Sequence, residues 1–192
     1  SIVCYNDGGL FFKEVKALGL PIHIFPFTVS LRPYYSLLHR VQPFKEFLKT
    51  QEVDVVHSWH YSSDWSEPLA CQLVRIPFLY TKKAMSWGNK QWKIRSYLSA
   101  FIITVNTQMQ AFFPNKKQQE LIPFGLDTTY YNNEGFDTTK KNTTFKIITV
   151  ANLVAVKNIE MLLQAMCLKK HLPIHLDIVG DMQNDYVSQL HV

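Results

Sequence analysis

The fold is decided by residues 145–170, Phe-Lys-Ile-Ile-Thr-Val-Ala-Asn-Leu-Val-Ala-Val-Lys-Asn-Ile-Glu-Met-Leu-Leu-Gln-Ala-Met-Cys-Leu-Lys-Lys. The β-branched run at 145–151 predicts a strand, and the apolar residues spaced three and four apart after Asn158 predict a helix. The short segment between them places Lys157 where that helix begins. A strand, a loop and a helix N-terminus form the usual anion site of an α/β sheet, with backbone N–H groups pointing at a phosphate.

Lys157 is an unusual residue for this position. A helix N-terminus already carries about half a positive charge from its aligned peptide dipoles, so a lysine there is mildly repelled unless an anion lies between them. The stretch therefore predicts a phosphate site that uses Lys157. The alternative is a solvated surface lysine.

The composition is that of a soluble globular protein. Of its 192 residues, 47% are hydrophobic and 14% aromatic, which suffices for one large domain or two small ones. No apolar run approaches the roughly 18–20 residues that span a bilayer, and the N-terminus lacks the pattern of a signal peptide. We therefore expect a cytoplasmic protein.

The three cysteines, Cys4, Cys71 and Cys167, lie far apart in apolar contexts. None has a second ligand at the spacing of a metal site. We expect buried thiols in a reducing compartment, with neither a disulfide framework nor a bound metal.

The positive charge is concentrated in the first part of the chain. Residues 1–131 hold 14 Lys and Arg against 9 Asp and Glu, whereas residues 132–192 hold 6 of each. Basic and aromatic residues interleave without an acid at Lys82, Lys83, Trp87, Lys90, Trp92, Lys93, Arg95 and Tyr97. Such a segment indicates nucleic acid, an anionic membrane surface or a phosphorylated ligand. The alternative is a helix with its aromatic residues in the core and its cations in water.

Short apolar runs alternate with helix-period segments along the chain. Strands are predicted at 1–5, 22–27, 53–58, 78–81, 101–105, 120–122, 145–151 and 174–180. Apolar faces that repeat at three or four, as in Phe44, Phe47 and Leu48, lie between most of them. This alternation predicts an α/β fold with parallel sheets, in which the loops at the carboxyl ends of the strands share the ligand-binding edge.

Residues 132–144 break this rhythm, because they are polar, poor in aliphatic residues and rich in turn formers. We interpret them as an interdomain linker. A first domain then occupies residues 1–131, with its first strand missing, and a second begins at 145 and continues to 192. Two strands are too few for a stable sheet, so we expect a fragment truncated at both ends.

Three segments, in order, carry motifs of a known family. Residues 121–131, Leu-Ile-Pro-Phe-Gly-Leu-Asp-Thr-Thr-Tyr-Tyr, are similar to I-P-N-G-V-D-x-x-x-F. Residues 150–158, Val-Ala-Asn-Leu-Val-Ala-Val-Lys-Asn, are similar to V-G-R-L-x-x-x-K-G, and residues 176–181, Leu-Asp-Ile-Val-Gly-Asp, to L-x-I-V-G-D-G. Looser matches are residues 53–60 to D-V-V-H-x-H and residues 103–109 to V-x-V-S-x-x-M. Over about residues 50–190 the chain thus resembles the retaining glycosyltransferases of family 4.

The resemblance implies the GT-B fold, in which two Rossmann-like parallel-sheet domains face each other across a cleft. Residues 1–131 would be the acceptor side and residues 145–192 the start of an incomplete nucleotide-sugar-binding domain. The implied reaction moves a hexose from a nucleotide diphosphate sugar to an acceptor hydroxyl with retention of anomeric configuration, without a metal or other cofactor. The fragment alone is expected to be inactive. Alternatives are another GT-B activity, namely a nucleotide-sugar epimerase or a phosphorylase, and a non-catalytic sugar- or nucleotide-binding relic.

For the donor, the resemblance assigns Lys157 to the diphosphate, where cations stabilise the charge that grows on the β-phosphate as the glycosidic bond breaks. Family members usually have an arginine where this chain has Asn152, which can donate a hydrogen bond but brings no charge. Gly180, Asp181 and Asn106 are further candidates for donor contacts. Asn106 alternatively caps a helix predicted at 107–113.

His57 and His60 follow a predicted strand and are the other candidate catalytic residues. A neutral imidazole there would accept a hydrogen bond from a sugar hydroxyl. The family has His-x-His whereas this chain has His-x-x-His, and we favour His60. Gly125 and Asp127 are expected to serve the backbone, Gly125 through a positive φ angle and Asp127 by capping the turn that follows.

The implied partners are a nucleotide sugar and a carbohydrate or lipid-linked acceptor. Residues 82–97 would contact an anionic acceptor or the inner face of a membrane. Nucleic acid is not expected.

Overall fold

The computed structural model describes residues 1–85, 88–132, 143–181 and 185–190. The chain divides into two compact units, Ser1–Leu126 and Asp127–Val192. The linker predicted at 132–144 lies largely outside the described residues.

The described part of the first unit has six strands, all with parallel pairing. β1 (Ile2–Cys4) pairs with β2 (Ile22–Ile24). A four-stranded sheet follows, in the order β3 (Val56–Ser58), β4 (Phe78–Lys82), β5 (Phe101–Thr104) and β6 (Gln119–Leu121). Because these four strands are parallel, their carboxyl ends share one edge, where side chains from distant parts of the sequence can meet.

Helices connect these strands. They are α1 (Phe12–Ala17), α2 (Leu37–Arg40), α3 (Gln42–Thr50), α4 (Ser66–Leu73), α5 (Lys90–Leu98) and α6 (Thr107–Gln110). A 3₁₀ turn at Tyr34–Ser36 precedes α2. The apolar repeat of α3 buries Phe44 and Leu48, as its helical period predicts.

The core of the first unit lies against β4. Its buried members include Val41, Phe44, Leu48, Ala70, Cys71, Phe78, Tyr80 and Trp92. Full burial of a large apolar side chain such as Phe44 or Leu48 stabilises the fold by about 1.5–3 kcal/mol. The core therefore joins α3, α4 and α5 to the sheet whose carboxyl ends carry the candidate histidines.

The second unit contains a parallel pair, β7 (Phe145–Val150) and β8 (Ile174–Val179). After β7 come a 3₁₀ turn at Ala155–Lys157 and then α7 (Ile159–Leu168); α8 (Asp185–Gln189) follows β8. Leu153 and Ile159 are buried, so the turn after β7 is anchored at both ends.

The predicted α/β fold with parallel sheets is confirmed. Every one of the eight predicted strands has a counterpart in the structure, with bounds that differ by at most a few residues. The prediction of three buried thiols is wrong, since only Cys71 is buried, Cys4 is half-buried and Cys167 is exposed. Cys167 lies near the end of α7, beside Leu168, which is also exposed, so its apolar neighbours in sequence did not indicate burial.

Candidate functional site

His57 lies inside β3, so the prediction that it follows the strand is wrong for this residue. It contacts the neighbouring strand. Its Nε2 is 2.7 Å from Oγ1 of Thr81 in β4, and its ring lies against that of Trp59. Partial desolvation lowers the pKa of His57 below its ordinary value. The imidazole is therefore neutral near pH 7 and able to exchange hydrogen bonds with an uncharged hydroxyl.

His60 lies in the loop after β3. Its backbone N–H donates to Oγ of Ser58 at 3.3 Å, and its ring meets that of Phe27 edge to face at 5.3 Å. His57 and His60 line one cavity of about 640 Å³, which is bounded by β1 and β3. The structure thus brings the two candidate histidines to the same cavity.

A buried ion pair fixes the end of β3 beneath this cavity. Nη2 of Arg95 is 2.8 Å from Oε2 of Glu67 and also donates to Oγ of Ser58 at 3.0 Å. Ser58 in turn donates to the same carboxylate oxygen at 3.1 Å, and Arg95 reaches the carbonyl oxygen of Asp64. The loop that carries His60 is therefore tied at both ends. Sequence reasoning missed Glu67, because its partner lies 28 residues away in a different helix.

The structure divides the basic and aromatic segment 82–97 into two groups. Lys82, Trp92 and Arg95 are buried, so the prediction that the whole segment meets an anionic partner is wrong for these three. The alternative interpretation, in which the cations of the segment face water, is wrong for Lys82 and Arg95. The exposed members are Lys83, Lys90, Lys93 and Tyr97, and Trp87 lies outside the described residues.

Lys82 ends β4 with its ammonium group buried. Nζ donates to the carbonyl oxygen of Ala84 at 2.7 Å and lies 4.1 Å from the centre of the Trp92 ring. Burial lowers the pKa of Lys82 to about 8. The Lys82 side chain therefore holds the loop after β4, and its ammonium group does not face solvent.

Asn106 caps α6. Its side-chain oxygen accepts from the backbone N–H of Met109 at 2.9 Å, which is the capping role that the sequence offered as the alternative to donor contact. The helix is shorter than predicted and ends at Gln110. The side-chain nitrogen lies 3.6 Å from the sulfur of Met85.

Asp127 and Gly125 differ in how they serve the backbone. Oδ1 of Asp127 accepts from the backbone N–H groups of Thr129 at 2.9 Å and Tyr130 at 3.3 Å, so it holds the turn after it. Gly125 does not take the expected positive φ angle, and an added Cβ would meet no atom within 4 Å. The chain runs through residue 125 without a turn, so nothing there demands a left-handed backbone.

In the second unit, Lys157 ends the 3₁₀ turn and Asn158 follows it as the N-cap of α7. Asn158 is left-handed, with φ 50° and ψ 50°, a conformation that asparagine tolerates better than most non-glycine residues. It stands where the resembling motif has glycine. Lys157 is exposed, and within the described parts of the chain its ammonium group has no hydrogen-bond or ion-pair partner.

Tyr186 occupies part of the α7 N-terminus. Its hydroxyl accepts from the backbone N–H of Ile159 at 3.1 Å and donates to the carboxylate of Glu160. One of the helix-end N–H groups predicted to face a phosphate is therefore already bonded. No sequence pattern indicates this contact, because it joins residues 27 positions apart.

Gly180 directly follows β8 and lies tightly against the loop after β7. A Cβ there would be 2.1 Å from the carbonyl oxygen of Ala151 and 2.9 Å from Cγ of Leu153. Asn152 and Asp181 are both exposed. The structure thus gathers Asn152 and Gly180 at the carboxyl ends of β7 and β8, with Asp181 next in the chain.

The described residues contain neither a cluster of metal ligands nor a membrane-spanning helix. No three His, Cys, Asp or Glu side chains there are grouped as ligands for a metal ion. None of the helices in this part of the chain is long and apolar enough to cross a membrane.

Comparison with known proteins finds similarity in structure only. No family model matches the chain, and no curated protein matches it significantly. The solved glycosyltransferase from Rickettsia africae is similar with a TM-score of 0.74 and 17% identity, over 95% of this chain and 53% of that one. HepE from Anabaena, solved with UDP and glucose, is similar with a TM-score of 0.68 and 15% identity, over 98% of this chain and 56% of that one. MurG from Acinetobacter baumannii is similar with a TM-score of 0.57 and 12% identity, over 95% of this chain and 57% of that one.

These similarities establish the class of fold. The chain has the α/β architecture with parallel sheets of the GT-B glycosyltransferases. It spans about half the length of the solved structures that it matches.

Proposed function

We propose that this chain is part of a GT-B glycosyltransferase of the family 4 type, which moves a hexose from a nucleotide diphosphate sugar to an acceptor hydroxyl with retention. The observation that carries the proposal is the turn after β7, where exposed Lys157, which has no hydrogen-bond or ion-pair partner among the described residues, stands next to the N-terminus of α7. That is the place at which an α/β sheet binds phosphate. The structural similarity to HepE, which was solved with UDP and glucose, supports a nucleotide sugar as the ligand.

In this proposal the second unit binds the donor. Lys157 contacts the diphosphate and stabilises the charge that develops on it as the glycosidic bond breaks, without a metal ion. Asn152 donates a hydrogen bond to the same group, and Gly180 and Asp181 border the nucleoside. The residues on the acceptor side are His60 and His57. Asn106, which follows β5, is a further candidate for a donor contact. We place the protein in the cytoplasm.

A second candidate function is a binding protein that has lost catalysis. Asn152 removes one of the two cations that the resembling motif supplies. Tyr186 and Glu160 occupy the α7 N-terminus, and a carboxylate there weakens the attraction for a phosphate. A protein of this kind would bind a nucleotide sugar without turning it over.

A donor screen tests the proposal. Full-length protein is melted alone and with uridine, guanosine and adenosine diphosphate sugars, each at about one hundred times the expected Kd. One nucleotide class should raise the melting temperature, since a ligand that binds only the native state at that ratio adds about 2.7 kcal/mol. The absence of a shift with every nucleotide would contradict the proposal. Binding without release of free nucleoside diphosphate in the presence of glycan acceptors would favour the binding protein.

A further inference from the structure

The segment after β6 crosses the carboxyl edge of the four-stranded sheet. It begins beside β5, where the N–H of Ile122 donates to the carbonyl oxygen of Thr104 at 2.9 Å. Two residues later, the ring of Phe124 stacks on that of Trp59, with centroids 6.0 Å apart and planes inclined by 25°. Trp59 directly follows β3, the opposite outer strand of the sheet. The two rings therefore meet above the edge where ligands bind in parallel sheets.

This stacked pair is open to solvent. Trp59 is 51% exposed and Phe124 58%, although each ring could bury a large apolar area in a core. Phe124 also stands where the resembling motif I-P-N-G has asparagine. Because the rings stack on each other, the outer face of the pair forms a flat apolar platform, a shape suited to a flat ligand with an apolar face.

A polar group borders the platform. The ring of His57 lies 5.5 Å from that of Trp59, and because one ring nitrogen of His57 is engaged by Thr81, the other remains for a ligand. Sites of this kind, apolar with a few placed polar groups, are typical of small-molecule binding. A hexopyranose fits this combination, since it has a face of C–H bonds and a rim of hydroxyl groups.

We propose that Trp59 and Phe124 form a sugar subsite, in which a neutral pyranose ring of the acceptor stacks on the outer face of this aromatic pair and offers a hydroxyl to His57. This inference rests on the proposed function and adds the acceptor's chemical class and the residues that select it. A sugar subsite also accounts for the two large aromatic side chains, Trp59 and Phe124, at exposed loop positions where a polar side chain would be equally compatible with the fold.

Saturation-transfer NMR on full-length protein tests the subsite. The probes are the methyl glycosides of glucose, galactose, mannose and N-acetylglucosamine, with UDP and uridine added in separate samples. At least one glycoside should receive saturation on its ring protons. Trp59→Ala and Phe124→Ala should each weaken that binding by roughly tenfold, the scale of a lost stacking contact, while Trp59→Phe retains most of it.

Tyr35→Ala is the matched control, since Tyr35 is an exposed aromatic residue, 91% accessible, in the same unit; it should leave glycoside binding unchanged. Circular dichroism and UDP binding report whether each variant is folded. The subsite would be overturned if no glycoside received saturation, or if Trp59→Ala bound the glycoside as tightly as the unsubstituted protein. Binding of UDP tests the proposed function separately. Uridine binding that falls in Trp59→Ala would assign the platform to a nucleobase and also overturn the acceptor assignment.

Discussion

The α-carbon of Gly180 faces the carbonyl oxygen of Ala151 so closely that a Cβ would lie 2.1 Å from it. No side chain fits at that distance without a shift of backbone, because the obstacle is a peptide oxygen and not the end of a flexible chain. The carboxyl ends of β7 and β8 can therefore approach each other only if residue 180 is glycine.

Gly180→Ala should lower the free energy of unfolding by about 1–3 kcal/mol, the usual cost of forcing extra atoms into a packed site. Gly125→Ala is the matched control, since an added Cβ there meets nothing within 4 Å and the φ angle is not left-handed. It should be neutral or slightly stabilising. Urea unfolding measures both, and equal midpoints for the two variants would contradict the crowding at Gly180.

The left-handed backbone at Asn158 predicts an ordered series of substitutions. Asn158→Gly should preserve or raise stability, because glycine adopts positive φ at no steric cost. Asn158→Val should lower it by about 1–2 kcal/mol, the cost of placing a Cβ in that conformation. Thermal melts of the three proteins provide the ranking, and a valine variant as stable as the glycine variant would show that residue 158 is not left-handed.

The Arg95–Glu67 pair predicts a large effect of breaking one partner. Arg95→Met leaves the Glu67 carboxylate buried without its cation, which should cost about 3–5 kcal/mol. Combining it with Glu67→Leu should recover much of that loss, since a buried ion pair can often be replaced by apolar residues. Denaturant titration of both variants gives the numbers.

An exposed pair in the second unit serves as the comparison. Nε2 of His175 lies 3.0 Å from Oδ1 of Asp177, and both side chains are more than half exposed. Asp177→Asn should change stability by less than about 1 kcal/mol, as for most surface pairs. If Asp177→Asn lowered the free energy of unfolding as much as Arg95→Met does, burial would not explain the different contributions of the two ion pairs.

Lys82 predicts a pH dependence of stability. Burial lowers its pKa in the folded protein from an ordinary 10.5 to about 8, so between these values the unfolded chain binds more protons. The free energy of unfolding contributed by Lys82 therefore rises with pH across that window and is flat below about pH 8.

Other groups oppose this trend at higher pH. Burial raises the pKa of Cys71 and raises that of Tyr80 to about 12, so each contributes stability that is lost as pH rises through its folded value. The measurement is therefore the difference in unfolding free energy between the unsubstituted protein and Lys82→Met, in which these contributions cancel. That difference should increase in favour of lysine from pH 8 to pH 10; a flat difference would contradict the lowered pKa.

Lys157 predicts a loss of nucleotide affinity. Lys157→Ala should weaken binding of UDP or of the donor found by the melting screen by about 1–3 kcal/mol, as expected for one charge-assisted phosphate contact. Lys169→Ala, which removes an exposed lysine just after the other end of α7, should leave it unchanged. Titration calorimetry showing equal affinity for the lysine and alanine proteins at 157 would remove that residue from the site.

The strands could be predicted from local periodicity. Their parallel pairing follows from the alternation of strands and helices along the chain, and the Lys157 turn from the short segment between a strand and a helix. The contacts that shape the sites could not. Glu67 pairs with Arg95 and Phe124 reaches Trp59 only after the sheet has brought distant loops to one edge. Residues 82–97 show the limit most directly, since an acid-free segment placed its Arg95 on an acid from another helix.

Asn158 stands where the resembling motif has glycine, yet it adopts left-handed dihedral angles that glycine takes readily. A search keyed to residue names passes over such a chain. A search keyed to geometry, for a strand, a 3₁₀ turn and one left-handed residue before a helix, would retrieve it. At residue 158 the turn therefore depends on a backbone conformation that more than one residue type can adopt.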